Sequence, residues 1–205
     1  MNKKHLGDAL DHWKGSILRQ LQQKRLVSDL GVEPMITDSQ PWHKDALVVY
    51  AKLLHVRRGQ FASHHWGTRG NRDSYFAETA RRCPGDIFLD PDTGVCTGKV
   101  TRRHVTPSEV SRLLEHNRGR LIVVYQHGAR ATLRVRVRQV IEVLEKAVPR
   151  DVKLYWCSYE AGSVAMLFLS LDPKRPQRVA KCFLSTLGVA ANRRIQQERD
   201  TQRGR

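Results

Sequence analysis

The chain has 205 residues, 40% of them hydrophobic, which suits one domain of ordinary size with a substantial core. No apolar stretch is long enough to cross a bilayer, and the amino terminus lacks the apolar region of a secretory signal, so we expect a cytoplasmic protein. Lys and Arg number 36 against 20 Asp and Glu, and the resulting formal charge of +16 predicts a polyanionic partner, nucleic acid first.

Two further features narrow the range of partners. The four cysteines are scattered without a Cys-x-x-Cys pair, which argues against a zinc knuckle and for reduced thiols. No basic helix carries the Trp, Phe and Leu face of a membrane-surface helix, so we expect no membrane partner. Nothing in the sequence indicates an oligomeric state.

The first half of the chain predicts amphipathic helices around one weak strand. Apolar residues recur at steps of three and four residues in the helical segments, and the strand candidate ends in Asp38. In chain order we predict a helix over 6–23, a strand over 32–38, a helix over 46–56, a loop over 57–72 and a short helix over 74–82.

The second half predicts strands and helices in alternation. Thr106-Pro-Ser-Glu109 carries a capping residue, a proline suited to the first helical position and a glutamate that completes a capping box. In chain order we predict a strand over 87–89, a basic loop over 99–104, helices over 106–116, 132–148 and 176–187, a strand over 120–125, and paired strands over 152–159 and 164–171.

Strands that alternate with helices predict an α/β fold with a mostly parallel sheet covered on both faces. The paired strands near the end predict a carboxyl-terminal antiparallel hairpin. We therefore expect a single α/β domain over 1–188, followed by a basic, flexible tail over 189–205.

The candidate site lies where two predicted strands end. Asp90 and Asp92 follow one strand, and Gln126 and His127 follow another, at the edge where open α/β sheets place their chemistry. Carboxylates are rarely buried as core filler, so we assign Asp90, Asp92 and His127 as candidate catalytic groups, with His127 suited to general-base work near neutral pH. Gln126 is suited to contact a base edge or a phosphate.

Basic and aromatic side chains near these strand ends are candidate substrate contacts. Arginines spaced four residues apart at the start of a helix form one basic ridge, which together with a basic loop suits phosphate binding. A tryptophan within an arginine-rich loop suits base stacking. The substrate-binding candidates are Gln126, Arg130, Arg134, Lys99, Arg102, Arg103 and Trp66.

Two motifs carry a resemblance to known proteins. Phe88-Leu-Asp-Pro-Asp-Thr-Gly94, and Val124-Tyr-Gln-His127 followed by Arg130, resemble the motifs of an uncharacterised bacterial protein family. More distantly, the element order resembles the class I methyltransferase-like superfamily, and the nearest branches are large-subunit rRNA adenine-N6 methyltransferases of the J type and three-Cys-motif partner proteins. The resemblance implies a three-layer, Rossmann-like fold and an RNA substrate.

The resemblance also implies roles for particular positions. Asp90 and Pro91 match the start of the motif that accepts the amine of a flipped adenine, but Asp92 and Thr93 depart from its proline and stacking aromatic. Asp38 matches the end of the cofactor-binding strand. The superfamily's glycine-rich turn for S-adenosylmethionine is missing, because Ser-Gln-Pro-Trp follows Asp38.

Three functions therefore stay open from the sequence. The first is a diverged methyltransferase-like protein that binds or modifies nucleic acid, RNA favoured, with S-adenosylmethionine as its cofactor if it is an enzyme. The second is a nuclease that holds Mg²⁺ or Mn²⁺ on Asp38, Asp90 and Asp92, since hard cations prefer oxygen ligands. The third is a non-catalytic nucleic-acid-binding adaptor with a degenerate Rossmann-like fold.

Overall fold

The computed structural model describes residues 2–37, 42–62, 71–128, 132–186 and 195–197. The chain is an α/β protein, with a mixed sheet of six strands and helices on it. Three predicted site residues, Asp38, Trp66 and Arg130, lie outside the described residues.

The helices and strands follow in chain order. The helices are α1 (Ala9–Gln23), α2 (Lys44–Leu53), α3 (Arg72–Arg82), α4 (Pro107–His116), α5 (Leu133–Ala147) and α6 (Lys174–Thr186). The strands are β1 (Gly31–Glu33), β2 (Ile87–Leu89), β3 (Gly94–Val95), β4 (His104–Val105), β5 (Ile122–His127), β6 (Tyr155–Ala161), β7 (Val164–Ser170) and β8 (Ile195–Gln197).

The main sheet has the order β1-β2-β5-β7-β6-β8. β1 pairs with β2 and β2 pairs with β5 in parallel, whereas β5–β7, β7–β6 and β6–β8 are antiparallel pairs. The predicted hairpin of β6 and β7 is present, but the prediction of a mostly parallel sheet is not confirmed. The reason is that β7 inserts between β5 and β6, and β8 adds an antiparallel edge strand within the segment predicted to be a flexible tail.

The start of α4 matches its sequence signal. Thr106 caps the helix, Pro107 is its first residue, and the side chains and backbones of Thr106 and Glu109 form the reciprocal capping box. The Glu109 carboxylate also receives a bidentate ion pair from Arg72 of α3, with both nitrogen–oxygen distances at 2.6 Å. Local sequence and a longer-range contact therefore stabilise the same helix end.

Helices α1 and α6 pack on the sheet face that carries Tyr125 and Tyr159. Trp13 of α1 stacks on Tyr159 with ring centroids 5.9 Å apart, and Phe183 of α6 contacts the ring of Phe168. Gly15 lets α2 approach α1 closely, because a Cβ at this position would lie 1.8 Å from the Leu53 carbonyl oxygen. These contacts hold α1 and α6 on the antiparallel part of the sheet and α2 against α1.

The parallel strands β1, β2 and β5 end at one edge of the sheet. Glu33, Leu89 and Val124 lie in register, and β5 continues for three residues to His127. Asp90 follows β2 directly, so the predicted strand-end residues do reach a common edge. Within the described residues, none of the helices combines the length and apolar character needed to cross a membrane.

Candidate functional site at the carboxyl edge of the sheet

A buried ionic cluster lies at this edge, around Asp90. The Lys14 ammonium donates to the carboxylates of Asp11 and Asp90, each at 3.0 Å, and the Tyr50 hydroxyl also donates to Asp90. None of these four residues is more than 3% exposed. Burial of charges is tolerated when they are paired and hydrogen-bonded, as they are here.

The electrostatics of this cluster set its protonation states. Burial lowers the pKa of Lys14, but the charges of Asp90 and Asp11 outweigh burial and raise it above the ordinary value, so the ammonium stays charged. Burial raises the pKa of Asp11 despite the opposing charge of Lys14. Burial and the charge of Asp90 raise the pKa of Tyr50, which therefore remains a hydrogen-bond donor.

The start of α1 provides two members of the cluster. Asp8 caps the helix by accepting from the backbone N–H groups of Leu10 and Asp11, and Gly7 N–H donates to the Asp11 carboxylate at 2.9 Å. Asp11 and Lys14 are one turn apart on the buried face, in line with Leu18 and Leu21.

A pocket of about 150 Å³ opens beside the cluster. The side chain of Tyr125 lines it, and the Lys14 ammonium lies 4.2 Å from the centroid of this ring. The Tyr125 hydroxyl is buried, and it has no hydrogen-bond partner among the described residues. Burial, followed by the charge of Asp90, raises the pKa of this phenol. The hydroxyl is therefore a protonated donor in the pocket wall that no described residue satisfies.

Charged side chains surround the rest of the pocket. Asp92 accepts from the Thr37 hydroxyl at 2.5 Å, and the Arg103 guanidinium lies 3.5 Å from the same carboxylate. Burial lowers the pKa of His127, and the charge of Lys14 adds to this effect, so the imidazole is neutral at pH 7. Besides Tyr125, the ionisable residues that line the pocket are His5, Asp8, Asp11, Lys14, Asp90, Asp92, Arg103 and His127.

Gln126 does not line this pocket. It is fully buried, its Oε1 accepts from Val95 N–H at 2.8 Å, and its amide nitrogen donates to the carbonyls of Thr93 and His127. Gly94 permits this approach, since its φ is +99° and an added Cβ would lie 2.3 Å from the Gln126 amide. In this structure Gln126 therefore holds β3 against β5, and its predicted base contact has no support.

The predicted basic residues separate into two groups. Lys99, Arg102 and Arg103 are exposed in the turn between β3 and β4, and only Arg103 reaches the pocket. Arg134 is exposed on α5. The next arginine on this helix, Arg136, is not among the sequence candidates, and it donates to Thr97 and to the Val95 carbonyl.

The region after β1 does not fit an S-adenosylmethionine site. Met35 and Ile36 are fully buried in the hydrophobic core, where a glycine-rich turn would leave open space. Trp42 is also buried and contacts the Tyr50 ring edge-on. Among the described residues, these side chains therefore occupy the core on either side of 38–41, where the superfamily has an open, glycine-rich turn.

The described part of the chain also gives no support to a metal site. It contains no group of three or more His, Cys, Asp or Glu residues placed to hold a metal ion. The Lys14 ammonium lies between Asp11 and Asp90 and supplies the positive charge that a divalent cation would otherwise supply. The nuclease interpretation therefore has no observation in its favour among these residues.

Four members of the site are absent from the sequence candidates, namely Asp11, Lys14, Tyr50 and Tyr125. A local signal existed for the first two, because charged residues occupy the apolar stripe of α1. The Lys14–Asp90 contact joins residues 76 positions apart, and no local pattern indicates it. The chain matches no protein-family model, curated protein or solved structure, so a functional assignment must start from this site.

Proposed function

We propose that the chain is a diverged methyltransferase-like protein that binds nucleic acid, RNA favoured over DNA, at the carboxyl edge of its sheet. The observation that carries the proposal is the pocket beside the buried Asp11–Lys14–Asp90 cluster, with the Tyr125 hydroxyl buried in its wall. The preference for RNA comes from the resemblance to rRNA methyltransferases. Because Met35 and Ile36 are packed into the core where the superfamily has its glycine-rich turn, the proposal assigns binding of nucleic acid, and methyl transfer is a separate question for experiment.

The size of the pocket supports one heteroaromatic ring as the bound group. A cavity of about 150 Å³ holds a molecule as large as benzene, so it suits the ring of one base that is unstacked from its neighbours. The polar wall suits a base more than a hydrocarbon, because the phenol of Tyr125 donates and the carboxylates of Asp8, Asp11, Asp90 and Asp92 accept.

The strand order supports the methyltransferase-like part of the proposal. β6 and β7 form the closing antiparallel hairpin that the resemblance implies. α1 and α6 contact the Tyr125 face of the sheet, while Arg136 of α5 reaches Val95, which in turn bonds Gln126 on the opposite face of β5. Helices on both faces are what a three-layer arrangement requires.

The decisive test is the substitution Tyr125→Phe, which removes one oxygen atom. Because that hydroxyl has no partner in the described residues, its loss should leave the free energy of unfolding unchanged or raise it. Affinity for a single-stranded RNA should fall by roughly 2- to 12-fold, the value of one hydrogen bond. Tyr159→Phe, on the same sheet face outside the pocket, is the matched control and should change neither quantity.

A panel of oligonucleotides completes the experiment. If the pocket holds a base, RNA that lacks bases should bind more weakly than intact RNA of the same length and charge. If the affinity depends neither on the presence of bases nor on the Tyr125 hydroxyl, the result would favour the non-catalytic adaptor with a degenerate fold. A wild-type chain that binds neither RNA nor DNA would refute the proposal, and labelled S-adenosylmethionine incubated with the same RNA tests for methyl transfer.

A further inference from the structure

The outer face of α6 carries a ridge of cations that the candidate site does not use. Lys174, Arg178 and Lys181 are four and three residues apart, so they project from one side of the helix, and all three are exposed. The helix contains no Asp or Glu from its first residue to its last. Its exposed face therefore carries positive charge and no negative charge.

The end of α1 extends this ridge. Arg178 Nη2 lies 3.5 Å from the carbonyl oxygen of Arg25, which brings the two helices together at this point. Arg25 and its neighbour Lys24 are exposed just beyond α1, and Arg19 is exposed one turn earlier. We call these six residues, Arg19, Lys24, Arg25, Lys174, Arg178 and Lys181, the α1–α6 basic surface.

The charges of the α1–α6 basic surface are not balanced within the described residues. None of the six side chains forms an ion pair with a described carboxylate. Helix α5 differs, since its cations Arg134 and Arg138 are followed by the exposed Glu142 and Glu145. An excess of one sign on one face favours an external partner of the opposite sign.

The position of the cations on α6 strengthens this argument. The first turn of α6 contains basic residues and no acidic residue. The Asp172 carboxylate accepts from Lys174 N–H at 2.9 Å and so offsets the partial positive charge at the amino end of α6, but α6 itself carries no carboxylate to pair with its cations. Arg175 is compensated by Asp86, whereas Lys174 and Arg178 are exposed and form no ion pair with a described carboxylate.

We propose that the α1–α6 basic surface is a second contact for the sugar–phosphate backbone of the nucleic acid. The proposal rests on the proposed function, because it assigns the surface to the same ligand that enters the pocket. Helix α1 connects the two regions: its first turns line the pocket, and after 15 residues, about 22 Å, it ends at the basic surface. A single-stranded nucleic acid with one base in the pocket would thus extend along α1.

The α1–α6 basic surface fits a nucleic acid better than an anionic membrane, because α1 and α6 carry no exposed large hydrophobic side chain among the described residues. A helix that lies on a bilayer inserts large apolar side chains between the lipids. The exposed large hydrophobic residues of the described chain are Val49, Val100 and Val135, and none of them belongs to α1 or α6. The surface therefore offers charge without an apolar anchor, which fits phosphates on a nucleic acid.

The test reverses two charges on the surface and compares them with a matched pair. Arg178→Glu with Lys181→Glu changes the net charge by the same amount as Lys146→Glu with Arg150→Glu, which lie exposed at and beyond the end of α5. For a single-stranded RNA, the α6 pair should weaken binding more than 10-fold at low salt. It should also make the negative slope of log K (the association constant) against log[salt] shallower by about 1.4, because each phosphate contact to a single strand contributes about 0.7. The α5 pair should leave the slope unchanged.

Each result separates this inference from the proposed function. Equal weakening by both pairs would mean that overall charge acts alone, and would overturn the inference. Unchanged binding in the α6 pair, together with weaker binding in Arg103→Glu, would overturn it while the pocket stands. A wild-type chain that binds no RNA refutes both, and tighter binding to phosphatidylserine vesicles than to RNA would assign the surface to membranes.

Discussion

Two buried ionic clusters lie at opposite ends of the same parallel strands. At the amino end, Asp86 accepts from the backbone N–H groups of Ser28 and Leu121 at 2.7 and 2.6 Å, and Arg175 pairs with the same carboxylate. Ser28 and Leu121 precede β1 and β5, and Arg175 lies in the first turn of α6, so one carboxylate ties three chain segments to the start of β2. Both carboxylate oxygens of Asp86 therefore accept hydrogen bonds from groups of the protein itself.

The cluster at the carboxyl end is built from different partners. Asp90 receives the side chains of Lys14 and Tyr50, which come from α1 and α2, and a pocket opens next to it. Backbone partners are fixed in place, whereas side chains beside a pocket can exchange a bond with a ligand. The comparison indicates that a buried carboxylate is a site candidate when its partners are side chains that also face open volume.

The largest expected effect is the loss of the cation at the carboxyl end. Lys14→Met leaves the Asp11 and Asp90 carboxylates buried near each other without a counter-charge, and we expect a loss of about 3–5 kcal/mol of folding stability at pH 7. Urea unfolding measures it. The deficit should shrink as the pH falls, since burial raises the pKa of Asp11 and this carboxylate can then be protonated.

A second substitution checks the cause of that loss. Adding Asp11→Asn to Lys14→Met removes one uncompensated charge, so the double variant should be more stable than Lys14→Met alone. Two independent destabilisations that simply add would show that Lys14 and Asp11 do not act as a pair.

A smaller effect is expected at the amino end. Asp86→Asn keeps the shape of the side chain but removes the charge that pairs with Arg175, and we expect a loss of about 1.5–3 kcal/mol. RNA affinity of the folded protein should not change, whereas Asp90→Asn should alter it. If Asp86→Asn weakens RNA binding at a temperature where the protein is folded, the distinction between a structural and a functional carboxylate is wrong.

Local signals in the sequence predicted much of the fold. The capping box of Thr106 and Glu109 predicted the start of α4 correctly, and the apolar periodicity predicted α5 to within one residue at each end. The hairpin of β6 and β7 was also predicted from its two apolar runs. Each of these features depends on residues that are close in sequence.

Features that depend on distant residues were not predictable in the same way. β8 was missed because its three residues form a strand only by pairing with Cys157 to Tyr159 of β6. The parallel strands predicted where Asp90 and His127 would lie, but not that Lys14 would fill the space beside Asp90. Patterns within a single sequence indicate where strands end at the edge of a sheet. Which side chains lie beside those strand ends depends on contacts between residues that are distant in sequence.

Gly94→Ala tests which part of the carboxyl edge is structural. The positive φ of Gly94 disfavours a side chain, and the new Cβ would collide with the Gln126 amide, so we expect a loss of about 1–3 kcal/mol. Gln126→Ala should be destabilising as well, because it leaves Val95 N–H unpaired. In the Gly94→Ala, Gln126→Ala double variant the collision is absent, so the two losses should not add. Additive losses would contradict the close contact.

The smallest effect concerns the pH dependence of His127. Burial keeps its pKa below the ordinary 6.5, so the unfolded chain takes up a proton at a higher pH than the folded chain does. Its contribution to stability is therefore fully present above pH 6.5 and is lost as the pH falls through the lower, folded-state pKa. His127→Gln should make the free energy of unfolding less sensitive to pH between 7 and 5 than in the wild type, as measured by urea unfolding at each pH.

His104, whose pKa burial also lowers, lies outside the pocket, so His104→Gln should share this effect while leaving RNA affinity unchanged. If His127→Gln and the wild type lose stability in parallel over this range, His127 is not held neutral by the pocket wall, and the carboxyl edge would then lack the titrating group that most clearly separates it from the amino-end cluster.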